Sequence, residues 1–214
     1  VVWRLIPGSR QDLVPLGRWQ LVHAEFTPNA QAFKTWQTNP TDGTVIPVQG
    51  RIAKLMEQFG VVMCVIDAEP SGNDALNFQK DFLGKVFVNH STKMNVDDPQ
   101  LGFNWLEKET DPNGQEIYVG RISEDKTQAS DAYFAYLAGN LELPDRESEV
   151  DDVIKQHLNV KKTTTEKKKS FGRFTYETIY YAVGDDHYGN AGKFTYQAAC
   201  LFHRLGYFNP TVIL

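Results

Sequence analysis

The run VVMCVID, Val61–Asp67, limits most tightly what this chain can become. A short, continuous apolar run of this kind suits a strand covered on both faces, not one with a wet side. Helical spacing flanks it. Before it, Ile52, Leu55, Met56 and Phe59 fall at i, i+3, i+4 and i+7, and Gly60 supplies a stop. After it, Ala75, Phe78 and Phe82 suggest a helix ended by Gly84, and KVFVNH, Lys85–His90, reads as the next strand. With a further strand in GRWQLVHAEF, Gly17–Phe26, the order is strand, helix, strand, helix, strand. That alternation predicts an α/β sheet with parallel neighbours and helices on its faces. Ligands of such sheets bind outside the carboxyl ends of the strands. Asp67 stands at that end of the strand the pattern makes most buried.

The remaining segments are placed by the same rules. TPNAQAFKTWQTNPTDGTVIPVQG reads as loop, from its proline and glycine punctuation. QEIYVGRI, Gln115–Ile122, reads as a strand, and a helix follows from about Lys126 to Gly139 with Ala129, Tyr133, Tyr136 and Leu137 inward. SEVDDVIKQHL begins with a capping-box-like Ser148…Asp151 and sets Val150, Val153, Ile154 and Leu158 on one helical face. Asn159–Phe174 is the one strongly basic segment, and it can pair with FTYETIYYAV as a hairpin with a lysine-rich tip. Ala191, Phe194, Ala198, Leu201, Phe202 and Leu205 keep helical spacing in the last helix.

The chain has 214 residues, enough for a single domain with a real core. Its 22 basic and 27 acidic residues leave a net charge of −5, so any nucleic-acid contact must be a local patch. Cys64 and Cys200 each sit in apolar runs and read as reduced, buried thiols. No CxxC, HExxH, GxSxG or Walker A pattern is present, and no apolar run is long enough to span a bilayer. The chain opens at Val1 inside the strand-like VVWRLIPG, so it reads as a fragment of a longer protein.

Three groups can carry chemistry, and each has a plainer reading. Asp67 is a metal ligand at a strand end, or a turn aspartate or helix cap. In VGDDHYGNAG, one of Asp185 and Asp186 can cap the last helix; the second is surplus and repels the first unless a cation sits beside them. Magnesium, with its preference for carboxylate and water oxygen, meets that need. His187, on the apolar side of this helix, is expected to pack. Lys161, Lys162, Lys167, Lys168 and Lys169 are either a solvated loop or a grip on a phosphate backbone.

These residues resemble a known family. An apolar strand entering VIDAEP, then a helix and LGKVFVNH, is similar to the C-terminal nuclease domain of bacteriophage terminase large subunits. So are VGRISEDKTQASDAYFAYLAGNLELP and the closing DDHYGNAGKFTYQAA, which looks like the family's Asp-His motif. The resemblance runs from about Gly17 to Leu205, and the order of its short motifs carries it. It implies an RNase H-like mixed sheet flanked by helices, and a metal-dependent endonuclease that cuts double-stranded viral DNA during genome packaging. It implies two Mg²⁺ or Mn²⁺ ions, with Asp67 and Asp186 as catalytic metal ligands and Asp185 as helper.

The family's first acid lies on the first strand of its sheet. Here that strand either lies upstream of Val1 or is replaced by another acid, for which Glu25 and Asp12 are the candidates. The implied partners are double-stranded DNA, a portal protein, a small terminase subunit and an upstream ATPase domain, in the host bacterial cytoplasm and without a membrane. The rival expectations are a non-catalytic RNase H-like module that binds DNA or the portal, and another RNase H-like nuclease such as a resolvase or exonuclease.

Overall fold

The structure, a computed structural model, describes residues 2–6, 18–25, 27, 29–69, 71–92, 97, 101–143, 147–168 and 174–205. Asp12 and Lys169 lie outside the described residues. The elements in chain order are β1 Val2–Ile6, β2 Arg18–His23, α1 Asn29–Ala32, β3 Lys34–Thr38, β4 Val45–Gln49, α2 Arg51–Gln58, β5 Cys64–Asp67, α3 Gly72–Asp81, β6 Val86–Thr92, β7 Phe103–Thr110, β8 Glu116–Asp125, α4 Lys126–Leu137, β9 Leu141–Glu142, α5 Glu147–Asn159, β10 Val160–Lys168, β11 Phe174–Ala182 and α6 His187–Arg204.

The fold is α/β. Its main sheet has four strands in the order β5-β6-β8-β7. β5 and β6 run parallel, as the alternation predicts; β8 also runs parallel to β6, and β7 closes the far edge antiparallel to β8. β1, β2 and β9 form a separate sheet, so the strand read at residues 17–26 does not enter the main one. At the other edge, β5 has β6 as its one neighbour among the described residues.

Register sets the side chains in rows across the main sheet. Val65 pairs with Phe87, Asp67 with Asn89, Asn89 with Ile122, and Ser91 with Glu124. Strand side chains alternate, so these residues share one face. On that face Phe87, Phe103 and Ile122 pack with Tyr133 of α4 and Tyr196, Cys200 and Leu201 of α6. On the opposite face Ile66, Val86 and Val88 pack with Ala53 and Met56 of α2 and Ala75 and Phe78 of α3. Helices thus cover both faces.

Four sequence expectations need correction. The most enclosed strand is β6, in which Val86, Phe87, Val88 and Asn89 are all buried; β5 ends on an exposed Asp67. The segment read as loop at residues 27–50 holds α1 and the hairpin of β3 with β4, because Pro40 and Gly43 sit in its turn while β-forming Thr35, Trp36, Val45 and Val48 flank it. On α5, Val150 and Val153 are buried, but Ile154 and Leu158 are 38% and 65% exposed. The buried stripe of α6 runs through Gly189, Gly192, Lys193, Tyr196, Gln197, Cys200 and Leu201, which rotates it from the purely apolar stripe; Ala191, Phe194 and Phe202 are half-buried. The basic segment does form the expected hairpin, with Val160 opposite Ala182 and Lys168 opposite Phe174. Among the described residues, no helix is long and apolar enough to cross a membrane.

Candidate functional site

The carboxyl ends of β5, β6 and β8 lie side by side, and at that end the α6-facing side of the sheet turns from apolar to polar. Val65 and Phe87 give way to Asp67, Asn89, Ser91 and Glu124. Glu124 occupies the inward phase of β8, two residues after the fully buried Ile122, and is itself fully buried. α6 lays Lys193 and Gln197 over this patch, one turn apart on its buried stripe.

Hydrogen bonds knit most of the patch together. Lys193 Nζ donates to Glu124 Oε1 at 2.6 Å, and both side chains are nearly sealed from water, at 4% and 0% exposure. Ser91 Oγ donates to the same oxygen at 2.8 Å. Gln197 Nε2 donates to Glu124 Oε2 at 2.5 Å. Against this order stand three orphans. Among the described residues, neither polar atom of the Asn89 side chain has a partner, nor does Gln197 Oε1, although both residues are fully buried. Buried amides without partners cost about 1–3 kcal/mol each, so they mark a place where water, an ion or a ligand group belongs.

Asp67 lies at the solvent edge of this patch. Its side chain reaches solvent, and its Oδ1 accepts the Glu69 backbone N–H at 3.2 Å. Protein packed on its inner side displaces water and raises the Asp67 pKa above the ordinary carboxylate range; the Glu69 N–H opposes that rise, the Glu124 charge adds to it, and Lys193 counters it. A carboxyl whose pKa rises on folding contributes stability that is whole below the unfolded-chain pKa and is lost as pH climbs through the folded one. Asp67→Asn is therefore expected to hold or raise stability at pH 7 and to flatten the stability profile in the mildly acidic range. Urea midpoints across pH measure this; a lower midpoint at pH 7 would contradict it.

The other expected site residues lie in different settings. Asp186 is the N-cap residue of α6 and is half-buried; its side chain accepts from Asn190 Nδ2 at 3.0 Å and makes no capping bond. It sits seven residues before Lys193, about 10 Å along the helix axis. Asp185 is exposed, and its backbone carbonyl accepts from Asn159. The charges that act on Asp67 come from Glu124, Lys193 and Glu69. Among the described residues, no group of three or more His, Cys, Asp or Glu side chains is placed to hold a metal. His187, expected to pack, is exposed, because the buried stripe begins at Gly189.

Glu25 is occupied elsewhere. Arg51 grips both its oxygens, Nε to Oε1 at 2.7 Å and a terminal nitrogen to Oε2 at 2.6 Å, and His23 and Thr27 add further bonds. The Arg51 bond leads in holding the Glu25 carboxyl down at a pKa of about 2. That clamp contributes stability above the ordinary glutamate pKa and loses it as pH falls toward 2.

Lys161, Lys162, Lys167 and Lys168 all project from β10, exposed. Lys162 pairs with Asp131 of α4, and Lys167 with Glu177 across the ribbon. Among the described residues, no carboxylate lies within ion-pair reach of Lys161 or Lys168. The base of the ribbon docks on α4: Tyr180 stacks on Phe134 at 5.8 Å and donates to Asp131 at 2.5 Å, and Thr127 donates to the Thr178 carbonyl.

Glu124, Asn89, Lys193 and Gln197 were not singled out by sequence reasoning, although a signal for them exists. Each is a polar residue standing in the phase that its strand or helix reserves for the core. No family model matches the chain, and no curated protein or solved structure matches it.

Proposed function

We propose that this chain is a metal-dependent nuclease acting on double-stranded DNA, with an RNase H-like arrangement related to that of phage terminase nuclease domains. One observation carries the reading. An exposed acid, a buried acid and unpartnered buried amides meet at the carboxyl ends of parallel strands, under the last helix. That is where an open α/β sheet binds its ligand, and oxygen donors of this kind suit Mg²⁺ or Mn²⁺. A divalent ion there supplies Lewis acidity and an acidified water for phosphodiester hydrolysis.

The chain's own part is threefold. Asp67 presents a carboxylate at the solvent edge. Lys193, paired with the buried Glu124, adds positive charge beneath the patch, and the exposed lysines of β10 hold the backbone without reading sequence. Asp186, at the start of the same helix, is proposed as a further ligand reached once DNA and metal are bound.

The test is nicking of supercoiled plasmid with Mn²⁺, at rising salt. Asp67→Ala and Asp186→Ala are each expected to reduce the rate about hundredfold or more, the scale of one lost transition-state contact. Lys161→Ala with Lys168→Ala should make binding less sensitive to salt. Full activity in both aspartate variants would sink the catalytic assignment. Among the described residues no three-acid group is placed to hold a metal; the rival reading, a non-catalytic module that binds DNA or a portal, expects DNA binding with no cleavage. Linear and branched DNA in the same assay separate an exonuclease or resolvase from an endonuclease.

A further inference from the structure

The charges under α6 point to a different composition for the centre than two metal ions. Asp67 and Glu124, with Glu69 at the rim, bring three negative charges, and Lys193 already supplies one positive charge at 2.6 Å from Glu124. The remainder is two negative charges. One divalent cation balances it. Two divalent cations would leave two surplus positive charges, a repulsive arrangement beside a buried ammonium.

The donors are also counted out. Glu124 Oε1 already accepts from Ser91 and Lys193, while among the described residues Oε2 accepts from Gln197 alone and keeps a lone pair. Asp67 uses Oδ1 for one backbone N–H. Asn89, set beside Asp67 in the register and on the same face, has both polar atoms unpartnered, and Gln197 Oε1 is unpartnered too. This makes a small oxygen set, half charged and half amide, that the described protein atoms leave unsatisfied. Mg²⁺ and Mn²⁺ take such sets and complete them with water.

We propose that Asp67, Asn89 and Glu124 hold one divalent cation, Mg²⁺ or Mn²⁺, with Lys193 as the built-in second positive charge of the centre. Asn89 gives Oδ1 to the ion and keeps Nδ2 as a donor for the water or phosphate oxygen beside it. What the ion does to DNA rests on the nuclease reading; that it binds here does not.

The experiment is Mn²⁺ titration calorimetry on the chain without DNA, with circular dichroism on every variant to confirm folding. One ion should bind at this cluster. Asp67→Asn and Glu124→Gln should each weaken it about tenfold or more, as a charged ligand is lost. Asn89→Asp should tighten it by about tenfold, by adding a charge to a position already aimed at the ion. Lys193→Met should tighten it as well, by removing a neighbouring positive charge. The gain in Asn89→Asp does not depend on a damaged fold, so misfolding cannot imitate it. Unchanged affinity in both Asp67→Asn and Asn89→Asp, or two ions lost together in Asp67→Asn, overturns the proposal. If the ion binds as described and plasmid is never cut, the site stands and the nuclease reading falls. If plasmid is cut in an Asp67-dependent way while Asn89→Asp and Glu124→Gln leave Mn²⁺ binding alone, the nuclease reading stands and this site falls.

Discussion

Lys193→Met is expected to cost about 3–5 kcal/mol of folding stability, because it leaves a charged carboxylate buried with no cation beside it. Glu124 is fully buried, and its closest charge is the Lys193 ammonium. The remaining donors, Ser91 Oγ and Gln197 Nε2, are neutral and cannot offset an ionised carboxylate. The double variant Glu124→Gln, Lys193→Met is expected to recover most of the loss. It removes both charges, and with them the cost of stripping water from each, while glutamine keeps polar atoms near Ser91 and Gln197. Urea denaturation of the four proteins in the cycle gives the coupling directly. A double variant as unstable as Lys193→Met alone would show that the two side chains are not coupled. Millimolar Mn²⁺ should return part of the lost stability to the Lys193→Met protein, since a ligand that binds only the folded state stabilises it by mass action.

Gly102→Ala is expected to destabilise by about 2–6 kcal/mol, the sum of two separate costs of about 1–3 kcal/mol each. Gly102 has φ of +76°, a conformation that side chains with a Cβ rarely adopt. A Cβ placed there would also lie 2.3 Å from the backbone nitrogen of Ala129 and 2.4 Å from its Cα. Those atoms belong to the first turn of α4, which cannot yield as a flexible side-chain tip can. That turn is capped by Asp125, whose side chain accepts from the Thr127 and Gln128 N–H groups, and Asp125 follows Glu124 directly. Pushing the turn outward therefore disturbs the buried acid as well as the core. Gly43→Ala is the control: φ is +72° there too, but nothing lies within 4 Å of the added carbon. It should cost only the backbone term, about 1 kcal/mol. Equal melting temperatures for the two variants would refute the steric account.

Much of the fold was legible because apolar periodicity is a strong signal where residues obey it. α2, α3, α4, β6 and β8 fall where spacing and glycine stops put them. The β10–β11 ribbon was also readable, from threonine and aromatic strand formers on either side of a basic stretch. β7, with Glu107, Lys108 and Glu109 in its second half, hid its alternation, because only its first residues reach the core. The candidate site was half legible. Asp67 announces itself at the end of an apolar run. Glu124, Lys193 and Gln197 do not, since a reading that assigns charged and amide residues to the surface skips them when they fill core positions. The rotated stripe of α6 has the same cause: without Lys193 and Gln197 the helix's inward face could not be phased correctly. Sheet partnership beyond the β10–β11 ribbon and the parallel β5–β6 pair was not readable. Which strands become neighbours is decided by packing between distant segments, and β1, β2 and β9 joined a sheet of their own.

The ribbon is fixed to the body of the protein at its base. Its root is clamped to α4 through Tyr180, Asp131 and Thr178. From Thr178 to Phe174 it runs on for about 14 Å, with Phe174 and Tyr176 exposed. A force on the exposed Lys167, Phe174 or Tyr176 would pass to α4 through Tyr180, Thr178 and Asp131. The helix so loaded is the one whose first residue, Lys126, lies two positions after Glu124.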